Sequence, residues 1–178
     1  MPFTPYHFGP SGFVGLLLRR WIDVPTFILA NVAVDVEVLV INLCNLSWPY
    51  HRYCHTLLIG TAVGIACGAI CYFFKPLFQW AMRTAWISYK TGLLKMLISG
   101  ILGVWFHVLI DGIYHYDVKM LWPIKKNPLW NIITKDQVEL ICLLCFIPLA
   151  IIYILAVRSF NRKRSGKINP PAKQDAAP

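Results

Sequence analysis

Acidic residues are scarce in this sequence: eight Asp and Glu stand against seventeen Lys and Arg. Charged residues make up only 14% of the 178, while apolar ones reach 57%. So little polar surface argues against a soluble domain, because a chain this short cannot wrap long apolar helices in charge. Internal repeats, a nucleophile elbow and a phosphate-cradling glycine loop are also missing. Inverted-repeat transport, serine chemistry and nucleotide hydrolysis therefore have no support. No secretory signal is expected in Met1 to Gly12, which has three prolines, no positive charge and no cleavage site after an apolar stretch.

What is present is apolar length. Thr56 to Phe74 and Leu140 to Val157 run without a charge, and ~20 such residues in a helix cross the ~30 Å hydrocarbon layer. Four long segments are expected, at about 24–48, 56–74, 91–110 and 138–157, with a shorter apolar piece at 13–18. Gly60, Gly64 and Gly68 repeat every four residues, a stripe that lets helix backbones approach closely in lipid. Pro148 is expected to kink the fourth segment. Residues 32–38 alternate apolar and polar like a strand, but no partner strand exists and open strand edges are not tolerated in lipid. As a helix, the same stretch puts Asn31, Asp35, Asn42 and Asn45 on one stripe. Glu37 then points ~160° away from Asp35, unless the helix breaks there. The fold class is all-α, an integral membrane bundle of about four long helices plus a short N-terminal helix.

The formal charge of +9 does not point to nucleic acid, because its charges flank apolar runs or lie in the tail. Residues 1–157 are expected to form the membrane domain and 158–178 a basic, disordered tail. With that tail cytoplasmic, twelve basic residues lie inside and five outside, at Arg52, Lys119, Lys125, Lys126 and Lys135. The positive-inside rule favours that orientation in a bacterial inner (plasma) membrane. Of the six cysteines, Cys67, Cys71, Cys142 and Cys145 lie inside apolar runs and read as small packing residues rather than a redox or zinc motif.

Ionisable groups inside membrane segments are costly and so mark function. Asp35 and Glu37 sit in the first segment, His107 and Asp111 end the third, His51 and His55 lead into the second, and His7 precedes the short piece. His51 and His55, and likewise His107, Asp111 and His115, are four apart and share a face wherever the chain is helical. At ~1.5 Å per residue, His7, Asp35 and His107 all lie about 16–18 Å above the inner ends of their segments, with Asp111 and His55 somewhat higher. Imidazole with carboxylate suits zinc, iron or manganese rather than calcium or magnesium. His115, beside Tyr114 and Tyr116, reads instead as part of an interfacial aromatic cluster.

The opening MPFTPYHFGPSG, the stretch PTFILANVAVDVEV, the HRYCHT block and WFHVLIDGIYHYDVKMLWP together resemble the YdjM-type family of membrane-bound, metal-dependent hydrolases. The resemblance covers most of residues 1–130. It implies a helical membrane protein with metal ligands at His7, Asp35, His55, His107 and Asp111, and His51 as a further candidate. Two departures concern local geometry: Tyr53-Cys54 replaces a glycine-containing pair, and no proline precedes Asp35. More distantly, the ligand order is similar to the all-helical zinc-dependent phospholipase C and P1 nuclease fold. There an aspartate in the place of Asp111 bridges two zinc ions. No histidine follows His115, so a third ion is not expected.

Two functions follow. The first is a hydrolase that uses one or two divalent transition-metal ions, zinc foremost, on a phosphate ester or lipid-like substrate, with Glu37 as the spare carboxylate for a general base. The second is a non-catalytic metal-binding protein serving as scaffold, sensor or transport component. Membrane lipid is the expected partner of either.

Overall fold

The computed structural model describes residues 5–168, and among them eight helices and no strand. The helices are α1 (Pro5–Leu17), α2 (Val24–Ala33), α3 (Val36–Leu43), α4 (Leu57–Phe73), α5 (Lys75–Thr84), α6 (Leu93–Tyr114), α7 (Lys135–Leu144) and α8 (Phe146–Ile168). Two of the expected segments are each split in two, and each split has a local cause.

The first segment breaks at Val34–Asp35, between α2 and α3. β-Branched Val32, Val34, Val36 and Val38 restrict side-chain rotamers there and weaken the helix. The amides of Asp35 and Glu37 reach back only three residues, to the carbonyls of Val32 and Val34. The break dismantles the expected polar stripe: Asn31 is buried against α6, donating to the Gly103 carbonyl, while Asn42 and Asn45 are exposed. The segment ends at Leu43 rather than near Trp48, because Asn45 takes a left-handed φ of 48°. The amide of Leu46 reaches the Ile41 carbonyl and that of Asn45 the Asn42 carbonyl, the bonding of a Schellman stop.

The fourth segment breaks at Cys145, between α7 and α8. Pro148 offers no N–H to the Leu144 carbonyl and its ring crowds that turn. Pro76 acts similarly after α4, where α5 departs at 76°. The stretch expected as a loop from Lys75 thus begins with a helix that turns Leu77 and Trp80 outward and Met82 inward. α8 runs on to Ile168, whereas the sequence suggested an unstructured tail from Arg158. Adding residues to an existing helix needs no new nucleus, and Arg and Lys are good helix formers. Residues 169–178 of the expected tail lie outside the described residues.

Central α6 packs against α4 and α2; α1 lies on α2 and supports α7 and α8. The glycine stripe makes the α4–α6 seam. A Cβ on Gly64 would sit 2.6 Å from Ile101 Cα, and one on Gly68 2.7 Å from Leu97 Cα. On the reciprocal side, Gly100 abuts the Gly64 carbonyl and Gly103 the Phe27 carbonyl of α2. Large apolar side chains face outward from the long helices, including Leu29, Leu58, Ile65, Leu94, Ile98 and Ile151. Apolar surface exposed on this scale needs lipid around it. Three helices are long and apolar enough to cross a membrane, or four if bent α4–α5 is one span. The chain is a helical membrane protein.

Candidate metal centre

Four chain segments converge at one end of the bundle. α6 carries His107 and Asp111 one turn apart on the face toward α2 and α4. The α2–α3 break brings Asp35 beside them. The loop into α4 supplies His51 and His55, and α1 supplies His7. Helix α1 begins at Pro5, longer than the expected apolar piece, and this brings His7 level with His107 and Asp111.

The loop is held by Glu37. Its carboxylate accepts from the amides of Arg52 at 3.3 Å, Tyr53 at 2.9 Å and Cys54 at 3.0 Å, and lies 3.2 Å from His55 Nδ1. Asp35 approaches the other nitrogen of that ring, its Oδ1 3.8 Å from His55 Nε2. The two acids, opposed on an ideal helix, thus address opposite edges of one imidazole. Cys54 in the same loop is an inert thiol, its pKa pushed up to about 11 by burial and by Glu37.

Asp111 is the hub. Its Oδ2 lies 3.1 Å from His107 Nε2 and 3.7 Å from Nε2 of both His51 and His55. Its Oδ1 lies 3.3 Å from His7 Nε2 and accepts the Tyr114 hydroxyl at 2.8 Å. His107 Nε2 is also 3.3 Å from Asp35 Oδ1. Asp35, His55, His107 and Asp111 each offer one ligand atom, and all four atoms lie within 4.8 Å of one another. His7 stacks on His107, with ring centroids 4.4 Å apart.

Whether these donors suit a metal ion can be tested on their distances and on their hydrogen bonds. Bonds of ~2.1 Å at a tetrahedral zinc put ligand atoms ~3.4 Å apart. The four imidazole–carboxylate separations here run from 3.1 to 3.8 Å. Nε2 of His55 and of His107 are buried without a hydrogen-bond partner, although carboxylate oxygens are close. Two imidazole nitrogens thus face carboxylate oxygens without a hydrogen bond of their own, an arrangement a cation resolves. Among the described residues, no Lys or Arg lies within ion-pair distance of Glu37, Asp111 or Asp117. The buried histidines and carboxylates can hold a metal ion.

A second group adjoins the first, formed by His51, His115 and Asp117. His51 Nδ1 lies 2.9 Å from Asp117 Oδ1, and the His51 and His115 rings are 4.0 Å apart. Burial, then the neighbouring His51, pushes the His115 pKa down to about 4, so the ring is neutral at pH 7. Burial alone would raise Asp117, but hydrogen bonds from His51 override it and keep the carboxyl below its ordinary value. A neutral imidazole beside an ionised carboxylate is a competent donor pair. His115 does touch Tyr114, at 4.4 Å, as the aromatic-cluster reading expects, but it also faces His51. Sequence reasoning overlooked Asp117 and read Tyr114 only as an aromatic neighbour of His115. The spacing His115-x-Asp117 just past the end of α6 was the available signal for the first, and the three-residue spacing from Asp111 for the second.

Access differs around the centre. His55 and His107 are fully buried, Asp111 is 2% exposed, and the Asp35 side chain is 23% exposed. Beside His51 and Asp117 opens a cavity of about 600 Å³ whose walls include Trp48, Arg52, Tyr53, Tyr116 and Lys119. The Arg52 guanidinium stacks over the Trp48 and Tyr53 rings at 4.7 and 4.6 Å.

The cysteines take no part. Among the described residues neither metal-ligand group contains one, and all six are free thiols.

The model of the YdjM inner membrane protein family matches this chain over residues 13–168, and the chain belongs to that family. No curated protein and no solved structure matches it.

Proposed function

We propose that this YdjM family member is a metal-dependent hydrolase acting on a phosphate-ester or lipid-like substrate at the membrane face where the centre lies. The observation that carries the reading is the convergence of Asp35, His55, His107 and Asp111 at ligand spacing, with the cavity beside it. A zinc-class ion, when bound, polarises the scissile group and lowers the pKa of water toward ~7.

In this reading Asp35, His55, His107 and Asp111 hold one ion and His7 reinforces Asp111. His51, with His115 and Asp117, holds a second, and Asp111 stands between the two groups, close to His51 and His107 alike. Glu37 is assigned a positioning role in place of general base, because its oxygens are engaged by three amides and by His55 Nδ1. A carboxylate on the far nitrogen of a ligating histidine fixes its tautomer and orientation. Arg52 and Lys119 in the cavity wall would receive an anionic phosphate, while Trp48, Tyr53 and Tyr116 would flank an apolar portion. The test is a screen of phosphodiesters, phosphomonoesters and phospholipids against metal-loaded protein, with Asp111→Asn as the matched control. Wild-type activity should fall by orders of magnitude in that variant. Activity that persists there is a contaminant's.

The non-catalytic reading keeps one observation on its side: His55, His107 and Asp111 are almost wholly enclosed, as in closed structural sites. Silence across all three substrate classes, with metal bound, would favour it.

A further inference from the structure

The end of the bundle away from the metal centre has the opposite electrostatics. Helix α1 leaves His7 at one end and delivers Arg19 and Arg20 just beyond the other; α6 carries Lys95 in its first turn and reaches His107 some 18 Å later. Between the α1–α2 turn, the stretch before α6 and the later part of α8 lies a cavity of about 650 Å³. Arg19, Arg20, Lys90, Lys95 and Arg164 all line it.

Among the described residues, no carboxylate lies within ion-pair distance of any of these five cations. The acid that acts electrostatically on Lys95 is Asp23, and its oxygens are spoken for. Oδ1 accepts the amide and hydroxyl of Thr26, and Oδ2 accepts the Tyr89 hydroxyl at 2.6 Å. The gathering is also built. Lys95 Nζ donates to the carbonyls of Arg19 at 3.1 Å and Lys90 at 3.0 Å, tying together two separate segments that carry cations. A topology signal requires only that basic residues lie on one side of the membrane. It does not require them to line one cavity from separate parts of the chain, where like charges repel.

We propose that this cavity binds a phosphate-bearing anion, supplied either by the headgroup of an anionic membrane lipid or by a soluble phosphate. Arg19, Arg20, Lys90 and Arg164 present the charge, Ser88 and Ser159 add hydroxyl groups, and Phe160 and Ala156 give an apolar flank. Exposed Trp21 and Trp86, next to Arg20 and two residues before Ser88, are the residue type that settles at headgroup level. The site is independent of the metal centre and of any hydrolytic activity.

The test uses the full chain in detergent micelles. Native mass spectrometry compares retention of phosphatidylglycerol with phosphatidylcholine, and calorimetry titrates inorganic phosphate. Wild type should prefer phosphatidylglycerol at least tenfold, or bind inorganic phosphate; the first result assigns a lipid headgroup and the second a soluble anion. Arg20→Gln with Lys90→Gln, both exposed side chains, should weaken whichever ligand binds by on the order of 30-fold, taking roughly fivefold per basic residue. Arg164→Gln alone should cost about fivefold by the same rule, and serves if the double variant fails to fold. Lys125→Gln with Lys126→Gln, in the loop between α6 and α7, should change nothing. Equal retention of the two lipids with no phosphate binding overturns the proposal. So does an equal loss in the Lys125 and Lys126 control.

Discussion

The two ends of this bundle hold opposite charge and treat it differently. At one end, carboxylates and imidazoles from four segments are buried together, and imidazole is the group that meets each acid. At the other, five cations stand around an open cavity with no acid among its described lining residues. A buried carboxylate must be compensated on the spot, so imidazole nitrogens stand 3.1–3.8 Å from it. Half-exposed cations can wait for a ligand from lipid or solution. Both ends are carried by α1 and α6, so the helices that place one also place the other.

The comparison is broken most completely from the metal end. His107→Ala with Asp111→Ala should empty the first group and lower metal content by at least one ion per chain, measured by elemental analysis of purified protein, because one face of α6 supplies both donors. Anionic-lipid retention at the other end should not change in that variant. A double variant with wild-type metal content would end the metal reading.

A change between the ends should damage both. Leu at Gly64 would press into Ile101 and the Gly100 carbonyl, which are 2.6–2.7 Å from a Cβ placed there. Overpacking of this kind costs ~1–3 kcal/mol and should lower the thermal midpoint along with both ligand affinities. An unchanged midpoint would show that the seam is looser than its spacing.

Glu37→Gln offers a finer cut. The positioning role predicts metal binding 10–100-fold weaker, read by chelator competition, with the same stoichiometry at saturation. Unaltered affinity with lost turnover would restore Glu37 as general base. Smallest is His115→Ala, which should remove at most one ion per chain and leave the first group loaded; loss of all metal would show that the two groups cannot be separated. The orientation of the bundle in the membrane has its own probe. Asn169→Cys, on a background without native cysteines, should react with an impermeant reagent only after lysis.

Much of this was legible because the membrane imposes coarse rules. Apolar length and basic flanks reveal spans, and the spacing of Gly60, Gly64 and Gly68 reveals a seam without saying which helix fills it. His107 and Asp111 could be paired from sequence, since a regular helix puts residues four apart together. Asp35 and Glu37 could not be reconciled, because their relation depends on a helix break that β-branched residues only encourage. Asp117 was overlooked for a related reason: beyond a helix end, spacing no longer predicts direction.

By itself, then, the sequence determined that this chain lives in a membrane as helices, and which scarce ionisable residues are available to meet there. Burial cost and helical rise are properties of residue type and count, and need no partner. The tertiary structure decided which of those residues meet, that Asp111 is the hub, that Glu37 and Asp35 address one imidazole, and that five cations line one cavity. Those outcomes depend on how closely α4 and α2 pack around α6. That closeness is set by glycine-to-backbone contacts between segments far apart in the chain.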